Sequence, residues 1–417
     1  MATTRLFQDM LNEYLTNELL AEELLKRDYI LMKVEKDNSW RGGKIPVPFK
    51  GAKASSVKFG ALTAANDISS TKPIRGNITD YVEVWGSLIF NHRDLQEHDG
   101  RIPETTFLSI LPDEVEDFME YVKMVTSVQI GSGPHFATVT DDTNAATGVM
   151  VVDKVDRFII DMHILIDDDD TATALDVYVT AIDINASSVT LSATRGGGAV
   201  DLSAYTVAQN AKFYYDGATD GAGNYTTFLS IRRALLSAAN GGDATLHGVS
   251  KLAYPYLQAV NVDGSSITAS NILTKLFDAY TEIRTKARGN ATTILMSFKH
   301  LGSCMKLIET QKGPYSVTKQ PNASLFGWTE IEITSVKGTL TLVGIQEWDD
   351  DVIAFIDWSS MKFMTNGFFK KRMSPDGKEY FEVRNTTGYQ YIVDVSLFGE
   401  MMFKKVGNCG IIHTISY

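Results

Sequence analysis

Two runs of aspartate carry the densest concentration of metal-type ligands in this sequence: Asp167, Asp168, Asp169, Asp170, and Asp349, Asp350, Asp351. Calcium takes roughly six to eight oxygen ligands, which carboxylates supply. Neither run has the EF-hand spacing or its glycine, so each reads as a solvated turn, with calcium as the alternative. The seven histidines (His92, His98, His135, His163, His247, His300, His413) contain no HxxxH or HxH pair. Cys304 and Cys409 lie far apart outside any CxxC spacing and read as free thiols of a reducing compartment. The triplet Gly196, Gly197, Gly198 sits between SVTLSATR and AVDLSAY without the Lys-Ser/Thr of a phosphate-binding loop, which makes it a hairpin turn. No GxSxG elbow occurs. The sequence therefore offers no catalytic constellation, metal or cofactor, and reads as non-enzymatic.

The chemistry it does offer is charge. The chain of 417 residues has a formal net charge of −12. Against that background one stretch carries seven bases (Arg41, Lys44, Lys50, Lys53, Lys58, Lys72, Arg75) and a single acid, Asp67. Its remaining residues are Gly, Ala and Ser-rich, too poor in large apolar groups to form a core, so it needs a partner surface. Soon afterwards Asp113, Glu114, Glu116, Asp117 and Glu120 place five carboxylates in eight residues at the expected start of a helix. The arm of one molecule is thus expected to lie on the acidic helix of another. A pI near 5.1 argues against a general nucleic-acid binder.

These charges need elements to position them. Residues 4–26 have the apolar spacing of an amphipathic helix. The N-terminus lacks the continuous apolar region of a secretion signal, and no run approaches membrane-spanning length. KIPVPF and ITDYVEVWGSLIF flank the basic arm and read as a long two-stranded loop. Pro112 with Asp113 and Glu114 marks a helix start, and Val115, Phe118, Met119, Val122 and Val125 form its apolar stripe. Residues 137–217 contain five strand-like runs and eleven aspartates between Asp141 and Asp183, the texture of an acidic inserted β-barrel or sandwich. Helix signals return at TTFLSIRRALLSAAN and again from a Thr268 or Ser270 cap to Gly289. ATTILMS reads as a buried strand feeding the helix FKHLGSCMKLIETQ, and the chain beyond Trp328 is mainly β, with a turn from Ser374 to Gly377. The fold class is α+β with an all-β insertion.

This order of parts, together with DATLHGVSKLAYPYLQAV, VIAFIDWSSMKFM and YQYIVDVSLFGEMMFKKVGNCGIIHTI, resembles the major capsid proteins of tailed bacteriophages. The resemblance implies the HK-ninety-seven type fold with axial and peripheral domains. Residues 1–40 would be an N-terminal helical arm, 41–92 the extended β-loop, and 93–136 the spine helix and start of the peripheral domain. Residues 137–217 would be the inserted domain, 218–330 the axial-type domain, and 331–417 the C-terminal β-rich part. It also implies a virion protein, assembled in a host bacterial cytoplasm into hexamers and pentamers of an icosahedral shell. The implied partners are other copies of the chain, scaffolding and portal proteins, and double-stranded DNA enclosed without sequence-specific binding; no membrane is implied. The alternatives are a tail or decoration protein, or an adhesin that stacks sugars on Tyr178, Tyr205, Phe213, Tyr214 and Tyr215.

Overall fold

The computed structural model describes residues 24, 28–40, 43–50, 73–79, 81–91, 105–167, 174–209, 211–218, 226–287, 289–311, 317–319, 328–335, 338–385 and 388–417. The chain forms two compact units, Val128–Ile231 and the combination of Met1–Ser127 with Arg232–Tyr417. The helix expected over residues 4–26 lies outside the described residues except for Leu24. The described N-terminal part holds a single helical turn, Tyr29–Lys33, whose first turn is capped by Asp28 accepting the Leu31 N–H at 2.9 Å.

The basic stretch is bounded by β1 (Ile45–Lys50) and β2 (Pro73–Ile78), paired antiparallel with Ile45 opposite Ile78 and Lys50 opposite Pro73. Val47 and Phe49 are buried, while Pro46 and Pro48 are exposed. Successive N–H groups of a strand point to opposite edges, so two prolines two apart lose donors on one edge only. The partner of KIPVPF is therefore PIRGNI, which corrects the expected pairing with YVEVWGSLIF. That segment forms β3 (Val82–Asn91) in a larger sheet. Its two faces are both apolar, Val84, Leu88 and Phe90 against Trp85 and Ile89, a composition suited to a sheet more than to a projecting ribbon.

The long helix α1 spans Thr105–Gly131. It begins seven residues before Pro112, so the expected start is corrected. The segment from Thr105 to Leu111 contains no Gly, Asn or Asp to stop a helix, and Pro103 just upstream is the start signal passed over.

One core cluster is built on a seven-stranded mixed sheet, in the order Val260–Asp263, Gly410–His413, Ile353–Ile356, Thr293–Ser297, Gly338–Ile345, Trp328–Ser335, Val317–Lys319. Thr293–Ser297 is buried at every position because it lies at the centre with strands on both sides. Helices α2 (Ile272–Glu282) and α3 (Phe298–Gln311) pack their apolar stripes on this sheet through Leu273, Leu276, Tyr280, Leu301 and Cys304. At Gly344 an added Cβ would fall 2.7 Å from the Leu301 side chain, so the absence of one lets α3 approach the sheet. The start of α2 is Asn271, not Thr268 or Ser270; its side chain accepts from the Thr268 N–H and so braces the preceding turn. The helix continues as a π-turn, Ile283–Ala287, before Gly289. The helix expected across TTFLSIRRALLSAAN shrinks to Ile231–Leu235. Its C-terminal carbonyls are taken by side chains: Lys251 donates to those of Arg233 and Leu236, and Asn261 to that of Leu235.

A second sheet of this unit has five strands. β4 (Met361–Lys371), β5 (Phe381–Asn385) and the 16-residue β6 (Gly388–Phe403) join β3 and the short parallel strand Glu35–Asp37. Residues 395–403 of β6 pair with β4, 388–392 with β5 and 390–399 with β3. The overlaps leave β3 on one edge of β6 and β4 with β5 on the other.

In the unit Val128–Ile231, six strands close into a barrel: His135–Asp141, Val149–Val152, His163–Asp167, Leu175–Asp183, Ser188–Ser192 and Lys212–Tyr215. The first was missed in the sequence because it directly follows the Ser132, Gly133, Pro134 turn. Alternating residues Ile164, Ile166, Val177, Val179, Val189 and Leu191 fill the interior with no exposure. The Gly197 N–H closes a turn onto the Thr194 carbonyl at 2.9 Å. Tyr205, Phe213, Tyr214 and Tyr215 are each at most 6% exposed, which removes them as sugar-stacking residues.

Candidate assembly surface

Of the arm bases, Lys44 and Arg75 are exposed where the β1–β2 hairpin meets solvent. Lys50 ends β1, its side chain not described. Arg41, Lys53, Lys58 and Lys72 lie outside the described residues. Of the acids, Glu116, Asp117 and Glu120 are exposed on α1, whereas Asp113 and Glu114 are placed in the helix by their backbone alone. Because α1 starts at Thr105, the acidic cluster sits in its third to fifth turns and not at its positive N-terminal end. Among the described residues no ion pair joins Lys44 or Arg75 to Asp117 or Glu120 of the same chain.

The other face of α1 carries Met119, Val122 and Val125, all below 9% exposed. β3 lies on it: an added Cβ at Gly86 would meet the Phe118 ring at 2.7 Å and Val122 at 3.9 Å. Further along, Lys123 donates to Glu347 at 2.6 Å in a pair buried on both sides. Asp28 is fully buried near the same pair, and burial first of all raises its carboxyl pKa to about 6, with Lys123 opposing. Two carboxyls and one ammonium thus tie the N-terminal turn, α1 and the loop at Glu347 together.

The loop at residues 349–351 is clamped by a cation of its own chain. Arg232 donates to Asp349 and Asp351 at 3.0 Å from Nη1 and to Asp351 at 2.5 Å from Nη2. The charge of Asp349 and Asp351 is thus met by a guanidinium of the chain itself. Asp168, Asp169 and Asp170 lie outside the described residues. Among the described residues no group of three or more metal-type ligands converges, and no helix is long and apolar enough to cross a membrane.

Sequence reasoning missed two features. The face of the five-stranded sheet opposite α1 exposes Trp85 (67%) and Ile89 (56%), with the Tyr81 ring tilted against that of Phe398, centroids 4.1 Å apart. The signal was the apolar character of both faces of YVEVWGSLIF. The other is His247, whose signal was a His-Gly pair between two short strand-like dipeptides, TL and VS.

No family description and no curated relative matches this chain. Solved structures do. The capsid of a native GTA particle aligns with a TM-score of 0.44 at 9% identity, covering 94% of this chain and 91% of that one. A chain of the cyanophage A-1(L) capsid aligns at 0.42 and 11% identity, covering 95% and 93%. A chain of Gordonia phage Cozz aligns at 0.45 and 11% identity, covering 94% and 87%.

Proposed function

We propose that this chain is a shell-forming subunit, a major capsid protein of the tailed-phage type, whose work is self-association around a packaged genome. One observation carries the reading: a single chain exposes bases on a two-stranded hairpin and carboxylates on one face of a long helix, without pairing Lys44 or Arg75 to Asp117 or Glu120 within itself. Opposite charges left apart in one copy can be matched between two. Each exposed contact is worth only about 0.2 to 1 kcal/mol, but a closed ring repeats it at every boundary and a shell repeats the ring. Weak repeated contacts also let misplaced subunits leave. The aspartate-rich barrel unit suits a module facing solvent. Scaffolding and portal partners, hexamers and pentamers, and double-stranded DNA as the enclosed cargo belong to this same reading.

Negative-stain microscopy of the purified chain tests it. Closed shells or hexamer-sized rings are expected from the wild type. Reversal of Lys50, Lys53 and Lys58 to Glu is expected to leave a folded monomer without particles. Wild-type particles from that triple variant would overturn the role of the arm.

A further inference from the structure

The strands Thr245–Leu246 and Val249–Ser250 form a minimal ribbon whose two turn residues are His247, at φ +48°, and Gly248, at φ +80°. Glycine adopts this left-handed region freely and histidine does not, so His247 is held there by its contacts. Three elements meet on it. The Phe49 ring of β1 stacks on the imidazole, with centroids 6.2 Å apart and planes 15° from parallel. From β2 the Asn77 N–H donates to the His247 carbonyl at 2.9 Å. From the end of β6 the Phe403 N–H donates to Nε2 at 3.1 Å. Gly76 completes the fit, since an added Cβ there would fall 2.6 Å from the His247 carbonyl oxygen and 2.7 Å from the Phe49 ring. Among the described residues, the Asn77 bond is the one backbone hydrogen bond from the hairpin to another element.

The tautomer follows from the geometry. A backbone nitrogen can only donate, so Nε2 is bare and the ring proton is on Nδ1. Burial lowers the pKa of the ring to about 4, which keeps it neutral at ordinary pH. The charged groups borne by the elements around it are Lys50 on β1, Arg75 on β2, Asp394 and Glu400 on β6, Lys404 and Lys405 after it, and Asp243 and Lys251 flanking the ribbon.

We propose that His247 is the seat of the basic hairpin: its neutral ring fixes the angle at which β1–β2 leaves the body, and uptake of a proton at Nε2 releases it. A protonated Nε2 would present N–H to N–H, losing the Phe403 bond and pushing the ribbon away from β6. The seat is a property of the single chain; its consequence, a reoriented arm, rests on the assembly reading.

Hydrogen–deuterium exchange on the unassembled full chain tests this. With His247→Ala and with Gly76→Ala, peptides containing Asn77 and Phe403 are expected to exchange at least tenfold faster at pH 7, while Thr293–Ser297 stays as protected as in the wild type. His247→Gln keeps an acceptor but cannot titrate, and is expected to retain protection. After correction for intrinsic rates, the wild type should lose protection of both peptides between pH 6 and pH 4, and His247→Gln should not. Unchanged protection in both alanine variants, or identical acid profiles for the wild type and His247→Gln, would overturn the seat. Either result would leave the assembly reading intact, whereas wild-type particles from the triple Lys reversal would overturn the role of the arm charges and leave the seat.

Discussion

The two sheets of the larger unit are built from similar apolar strands and finished differently. The seven-stranded sheet is covered by α2 and α3, and Ile353–Ile356 and Thr293–Ser297 are buried at every position. The five-stranded sheet rests one face on α1 and leaves Trp85 and Ile89 on the other, while burying Lys371 and Glu400 below 9% exposure. A surface that exposes aromatics and buries charges departs from what a free monomer needs. The first sheet therefore holds the chain together, and the second is the one with unmet contacts.

The sharpest test of that division is a cavity in the first sheet. Phe355 has no exposed surface and packs in the cluster with Ile294, Leu342 and Ile412. Phe355→Ala is expected to cost about 3 to 5 kcal/mol of unfolding free energy, read by denaturant titration. A cost below about 1 kcal/mol would mean that this sheet is not the stabilising one.

A smaller effect lies where the N-terminal turn meets Lys123 of α1 and Glu347. The carboxyl of Asp28 titrates near 3.8 when unfolded and about 6 when folded, so the folded state binds the proton more tightly. Stability from that proton is present below pH 3.8, is lost as pH rises through 6, and stays lost above it. With about 1.36 kcal/mol per pKa unit, the loss is of order 3 kcal/mol. Asp28→Asn removes the charge yet keeps a helix-capping side chain. It is expected to raise the midpoint of thermal unfolding at pH 8 and to flatten its dependence between pH 4 and pH 7. A lower midpoint at pH 8 would show that the Lys123 ammonium outweighs burial.

Much of this architecture was legible in the sequence, for physical reasons. ATTILMS and VIAFIDW announced buried strands because unbroken apolar runs have no face for water. The barrel strands showed as short alternating runs between Asp, Asn and Gly turns. What failed was long-range pairing. Nothing local says that β3 pairs with β6, some 300 residues away, in place of β1 nearby. The start of α1 was misplaced because Pro112 with two acids imitates an N-terminus that the backbone does not use. The charges of the arm and helix could be read, but the partner of each is settled by three-dimensional placement. The seat at His247 was hidden because its three contacts come from residues 49, 77 and 403, which are far apart in sequence.

The smallest expected effect is the most discriminating. Trp85 stands on the outer face of β3 opposite Ser396, with Ile89 four residues along on the same face opposite Ile392. Since two thirds of its surface is already in water, little burial is lost when it is replaced. Trp85→Ser is accordingly expected to change monomer stability by no more than about 0.5 kcal/mol. If the outer face is an unmet contact, the same change should reduce concentration-dependent association seen by sedimentation velocity, with the denaturation midpoint held. A stability loss above about 1 kcal/mol would place Trp85 in the monomer's own core and erase the distinction between the two sheets. Unaltered association at unaltered stability would keep the distinction in packing but deny this face its role between copies, leaving charge alone to bring them together.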